Sequence, residues 1–172
     1  MPMKRILIPV LFVFIAILIS SCGSVKERDY TLGKDGLIYR YSDKRLFNGE
    51  IIDTVNVIIQ YAVVNGKKNG LFMTHYLDGQ LEKFGFIENN SNVGEWKYFY
   101  PNGSLECKGK FEDGKAEGQW SYYYSNGIIK SEGTYVNSIK EGRWILYNQS
   151  GDTINILYFH DGEVIKVQNR VS

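Results

Sequence analysis

The chain has 172 residues, enough for one domain, with 23% charged residues, 15% aromatic residues and a formal net charge of +1. That balance excludes the strongly basic footprint of a nucleic-acid binder. Thirteen tyrosines and 18 glycines against three prolines favour strands joined by tight turns.

In chain order, the first element is a targeting segment. Lys4 and Arg5 precede a 14-residue uncharged apolar run, Ile6 to Ile19. A membrane-spanning helix needs about 20 such residues, so the run reads as the core of a secretion signal helix. It ends in Leu-Ile-Ser-Ser-Cys, residues 18–22. This ending resembles the lipobox of bacterial lipoproteins. The resemblance implies cleavage before Cys22, followed by lipidation of its thiol and of the new amino terminus. Several acyl chains would anchor firmly, since each buried CH₂ contributes about 0.8 kcal/mol. The competing reading is an uncleaved N-terminal anchor with an incidental cysteine. Cleavage removes two basic residues and no acid, which takes the net charge from +1 to −1. Lipidation leaves Cys107 as the remaining thiol, so no internal disulfide framework is expected. The expected organisation is a signal peptide at 1–21, a tether at 22–34, a repeat domain at 35–168 and a tail at 169–172.

From residue 46 onward the sequence repeats. Gly70, Gly94, Gly118 and Gly142 are spaced by 24, and two residues after each stands Phe72, Trp96, Trp120 or Trp144. Gly79, Gly103, Gly127 and Gly151 form a second series, and Gly85, Gly109 and Gly133 a third that breaks at Leu157. A degenerate copy precedes them, from Leu46 to Gly70. Such a period marks a repeat architecture. Asn102-Gly103 and Asn126-Gly127 suit two-residue type I′ turns within a unit, and Asp113-Gly114 joins one unit to the next. Each unit therefore reads as a β-hairpin, and the chain as an all-β, elongated, single-layer antiparallel meander of about five tandem hairpins, about ten strands in all. At two strands per unit the sheet advances roughly 10 Å per repeat.

Counting back from the Asn-Gly turn places Trp96 opposite Gly109, Trp120 opposite Gly133 and Phe72 opposite Gly85. Glycine would then leave room for a large ring, with Trp96 filling the gap over Gly109. Side chains alternate between faces. One face would carry Trp96, Tyr98, Tyr100, Leu105 and Phe111. The other would carry Glu95, Lys97, Glu106, Lys108, Lys110 and Glu112, interrupted by Phe99.

The units GEWKYFYPNGSLECKGKFEDGKAEG and GQWSYYYSNGIIKSEGTYVNSIKEG resemble MORN repeats, in the variant common in bacteria. The shared features are the Gly-x-Trp opening, paired aromatics before Asn-Gly, a mid-unit glycine and a closing Asp-Gly-Lys. The resemblance runs from about Leu46 to Val164. It implies an extended sheet of hairpins with a scaffold or protein-binding role; some bacterial members are labelled antitoxin components. Phe72 for Trp, Asn148 for Tyr and Leu157 for Gly depart from the pattern and point to terminal caps. Choline-binding cell-wall repeats share the Gly, Trp and Tyr-Tyr composition, with a period nearer twenty.

No catalytic constellation is evident. His75 and His160 have no second His, Cys or carboxylate at metal-ligand spacing in the sequence. Cys107 aligns with Lys83, Ser131 and Asn155 and has no His beside it, so it reads as a tolerated substitution. No metal or cofactor is expected. The row His75, Phe99, Tyr123 and Tyr147 points to the charged face and is the candidate binding line. The expected function is a non-catalytic, lipid-anchored protein-binding scaffold in the bacterial envelope, at the outer membrane on either its periplasmic or its surface side. Its expected partners are the membrane through Cys22, an unidentified protein and a second copy as an open option. The alternatives are an immunity protein against a toxin and a glycan-binding module.

Overall fold

The computed structural model describes residues 29–169. The signal segment, Cys22 and most of the tether lie outside the described residues. Among the described residues, no helix is long and apolar enough to cross a membrane.

Among the described residues thirteen strands follow one another. They are β1 (Tyr30–Leu32), β2 (Ile38–Arg40), β3 (Gly49–Thr54), β4 (Ile58–Val64), β5 (Lys67–His75), β6 (Leu81–Glu88) and β7 (Ser91–Phe99). Then come β8 (Leu105–Glu112), β9 (Lys115–Tyr123), β10 (Ile129–Val136), β11 (Ile139–Tyr147), β12 (Thr153–His160) and β13 (Glu163–Asn169). β3 to β13 form one 11-stranded sheet in sequence order, and β1 pairs with β2 in a separate two-stranded sheet. The antiparallel meander of stacked hairpins is therefore as expected. Its start is not: Tyr30–Leu32 is already a strand, inside the segment assigned to a tether, and among the described residues the sheet ends on a single strand beyond the last hairpin, β13, which pairs with β12.

The type I′ turn expected within each unit lies between units instead. Within a unit the loop has three residues, not two. Gly103 donates its N–H to the Tyr100 carbonyl at 2.8 Å, and Tyr100 donates to Ser104 at 2.9 Å. Only Gly103 in that loop takes a positive φ, +80°. That is a type I turn closed by a left-handed glycine. The paired left-handed residues of a type I′ turn sit between units, at Asp113 (φ 48°) and Gly114 (φ 79°). The longer loop shifts the pairing by one residue, so Phe99 faces Leu105. A bulge at Glu106 restores it, so Tyr98 faces Cys107 and Trp96 faces Gly109 as expected. Leu105 consequently shares the face of Phe99, not that of Trp96.

Between units the glycines do more than open strands. Lys110 pairs with Glu117 and Lys108 with Ser121, so Gly109 alone opposes Gly118, Gln119 and Trp120. Gly118 accommodates this wide bulge with φ +70°, in the left-handed region that disfavours other residues. The bulge swings the indole of Trp120 back onto the preceding strand, flat over Gly109. A Cβ on Gly109 would lie 2.1 Å from the ring. The ring over Gly109 is thus Trp120, and Trp96 instead covers Gly85, which corrects the expected direction of the rings. Each indole N–H donates to a carbonyl of the strand it covers: Trp96 to Phe86 at 3.1 Å, Trp120 to Lys110 at 3.3 Å and Trp144 to Thr134 at 3.1 Å.

These rings form the core. Phe72, Trp96, Phe111, Trp120, Tyr135, Trp144 and Phe159 touch in sequence with centroids 5.1–6.1 Å apart, mostly edge to face. Such geometry suits the ring quadrupoles. Trp96, Trp120 and Trp144 are all buried within one chain, Trp144 to 1% exposure. The N-terminal end has its own cluster of Ile38, Ile51 and Val63, flanked by Tyr30, Phe47 and Tyr61. Backbone bonds from Ile38 to Gly66, Gly66 to Phe47 and Phe47 to Ile38 lock β2 over that end of the sheet.

Candidate binding surface

The tryptophan face is largely consumed by its own packing. The second face is more open: Glu95 and Lys97 of β7 and Lys108 and Lys110 of β8 stand there in a band. Glu95 pairs with Lys97 at 2.8 Å and Lys110 with Glu112 at 3.6 Å. The Lys97 hydrogen bond holds the Glu95 carboxyl below its usual range. All four side chains are well exposed, so these pairs contribute little to stability. A shallow depression of about 430 Å³ lies here, lined by Glu95, Lys108, Lys110, Gln119 and Ser121 above Gly94 and Gly109.

The charged band does not extend along the whole face. One repeat earlier the same positions hold Leu71, Met73, Phe84 and Phe86. Leu71 pairs with Phe86, Met73 with Phe84, and Phe86 with Val93 across β5, β6 and β7. Phe84 and Phe86 meet edge to face at 6.2 Å. Phe86 is 48% exposed and Leu71 38%. This apolar patch beside a charged band was missed in the sequence. Aligning every unit position by position, instead of describing the middle unit, would have found it.

The candidate line His75, Phe99, Tyr123 and Tyr147 occupies the last position of β5, β7, β9 and β11, all half-buried. Their strand partners are Leu81, Leu105, Ile129 and Thr153. Tyr147 donates to Glu132 at 2.8 Å, so that member is engaged within the sheet. The line also has a structural use. Tyr76 donates its hydroxyl to the Phe99 carbonyl at 2.7 Å, Tyr100 to Tyr123 at 2.8 Å and Tyr124 to Tyr147 at 2.8 Å. Each hydroxyl clasps the next hairpin. The fourth position of that tyrosine series is Asn148, whose side chain instead closes its own loop, accepting from Ser150 and Asp152.

The two reactive residue types fall as follows. Cys107 is buried between Tyr98 and Tyr122, and burial, assisted by Glu106, pushes its thiol up to about 12. That is the environment of an inert thiol. His160, next to Asp161 and three residues before Glu163 in the sequence, is brought by the β11–β12 register to Glu141, with Nδ1 3.1 Å from Oε1. Potential ligand atoms of Glu141, His160 and Asp161 lie within 4.8 Å of one another. The carboxylate of Glu141 is already used to accept the Asp161 backbone N–H at 3.0 Å. Glu117 treats Asn137 the same way one repeat earlier, at 2.9 Å, so the arrangement is a turn clamp of the repeat. Glu141 raises the His160 pKa above the usual histidine value, helped by Asp161.

The MORN repeat variant model matches residues 92–113 and 116–137. That match ties these two units to the MORN-repeat family. It ends each unit on the left-handed turn at Asp113 or Asn137, so the family unit and the β7–β8 and β9–β10 hairpins coincide. None of the curated proteins matches the sequence. Among solved structures, a GtfA/B complex bound to UDP and GlcNAc is similar over 80% of this chain, at 12% identity and a TM-score of 0.25. The chain spans 28% of the length of that structure's chain.

Proposed function

We propose that this chain is a protein-binding scaffold of the bacterial envelope, held at the membrane through lipidated Cys22 and without catalytic activity of its own. One observation carries the reading. The repeats bury their tryptophans against each other, yet leave Leu71 and Phe86 open on the second face beside the band of Glu95, Lys97, Lys108 and Lys110. An apolar centre rimmed by charge is the anatomy of a protein-binding patch. The MORN repeat match supports a repeat module of this kind. The apolar leader and the lipobox-like ending at Cys22 support the envelope location.

A photo-crosslinking residue placed at Phe86, with a second placed at Glu163 as control, tests the reading in intact envelopes. A discrete partner captured at Phe86 and lost in Leu71→Asp is the expected result. No capture at either position, together with turnover of any substrate by the purified chain, would overturn it. Metabolic labelling with palmitate, lost in Cys22→Ser, tests the anchor separately.

A further inference from the structure

The first ring of the core row differs from the rest. Phe72 stands where later units have tryptophan, and Tyr61 stands where they have Gly85, Gly109 and Gly133. No flat ring-on-glycine contact can form there. Phe72 instead stacks on Tyr61 with centroids 5.9 Å apart and planes at 19°. The smaller ring leaves a cavity of about 240 Å³ on the tryptophan face, walled by Phe72, Trp96 and Tyr98.

Two lysines enter this cavity from neighbouring strands. The Lys68 ammonium lies 4.7 Å from the Tyr61 ring centre and 5.8 Å from that of Phe72, and the Lys83 ammonium lies 6.0 Å from the same Phe72 centre. Among the described residues neither ammonium has a carboxylate within ion-pair distance. Burial, followed by repulsion from Lys83, lowers the pKa of Lys68. Asn90 and Asn92 complete the polar rim, and Asn90 Oδ1 is occupied by the Lys68 backbone N–H at 2.7 Å, which leaves its NH₂ as the uncommitted end. Later units do not reproduce the pair. The positions of Lys68 and Lys83 become Asn92 and Cys107, then Ala116 and Ser131, then Lys140 and Asn155.

Two cations lining one cavity without a counter-charge, set among aromatic walls, are an incomplete ionic site. We propose that this cavity binds a soluble phosphate monoester, whose dianionic group is shared between Lys68 and Lys83 with the carboxamides of Asn90 and Asn92 as further donors. A dianion offsets both ammonium charges and removes their mutual repulsion, whereas a single carboxylate offsets one. The ring walls exclude water on one side and strengthen the charge-assisted hydrogen bonds. The volume admits the phosphate and the first few atoms of the group that carries it.

The test is titration of the full-length chain with glycerol phosphate at fixed ionic strength, read by calorimetry and by tryptophan fluorescence, since Trp96 lines the cavity. Saturable binding is expected, weakened about tenfold or more by Lys68→Gln or Lys83→Gln and unchanged by Lys140→Gln. Phe72→Trp keeps both lysines but refills the cavity, and should remove binding. Melting curves of each variant establish that it is folded, and the two lysine variants suffice if Phe72→Trp is not. Three outcomes would overturn the proposal: a response matched by sodium chloride, equal losses in Lys140→Gln and Lys68→Gln, or binding only to vesicles bearing a phosphate-monoester headgroup. Partner capture through Phe86 on the opposite face is unaffected by any of these, so the two readings fail independently.

Discussion

Two kinds of junction between successive hairpins differ sharply from each other. At β6–β7, β8–β9 and β10–β11 a glycine on one strand faces three residues of the next, and a tryptophan folds back onto it. At β12–β13 Leu157 replaces that glycine and Gln168 stands at the tryptophan position. The wide bulge shrinks to one extra residue, Ile165, which is 67% exposed. The same register logic runs through both kinds of junction, so the difference isolates what the ring contributes. It supplies burial, an indole hydrogen bond and a lock on strand spacing, whereas β13 is held by its ladder bonds and little else.

That contrast can be broken by experiment. The largest effect should come from Trp144→Ala, which empties the most buried ring of the row and is expected to cost about 4 kcal/mol in a denaturant melt. Val167→Ala in β13, at a residue 54% exposed, should stay within about 0.5 kcal/mol. Equal costs would show that the rings are not what separates the two junctions. Gly109→Ala should cost about 3 kcal/mol, because its Cβ would meet the Trp120 ring at 2.1 Å. Full stability of that variant would mean that the indole can lift off the glycine freely. Tyr124→Phe removes one hydroxyl clasp onto the Tyr147 carbonyl and should cost about 1 kcal/mol. An unchanged melt would assign the clasps no role in joining hairpins.

The smallest effect sharpens the last junction. His160 has a raised folded pKa, so its pair with Glu141 stabilises fully below the ordinary histidine value of 6.5 and fades as pH rises through the raised value. Glu141 is shifted down, mainly by the same hydrogen bond, so its share is present above 4.5 and lost as pH falls through the lowered value. Amide exchange at Asp161 should therefore be best protected, after correction for intrinsic rates, in the mildly acidic range between these limits. Protection that rises steadily toward pH 9 would remove the pair from the account.

Much of this is legible in the sequence. The 24-residue period carried the hairpins, the facing of Trp96 with Gly109 and the separation of a ring face from a polar one. The turn type was misread for a definite reason. A two-residue loop and a three-residue loop followed by a bulge at Glu106 give the same pairing at Trp96, so the pattern of large rings and glycines cannot distinguish them. Ring direction failed for a related reason. Facing positions say which backbone lies opposite, but the bulge at Gly118 decides which neighbour the indole covers. The β1–β2 sheet has three-residue strands and no period to betray it. The His160–Glu141 clamp joins positions 19 apart that only the register brings together.

The meander topology also sets how the molecule bears load. A pull between β3 and β13, the two edges of the sheet, runs across the strands, so ladder bonds would open one after another instead of all at once. Stability in such a chain is a sum of local units and their interfaces. Each hairpin released from the β13 side sets free 24 residues, or roughly 80 Å of slack, while the hairpins behind it keep their rings in place. A sheet of this build yields to tension in steps, from its unlocked edge inward.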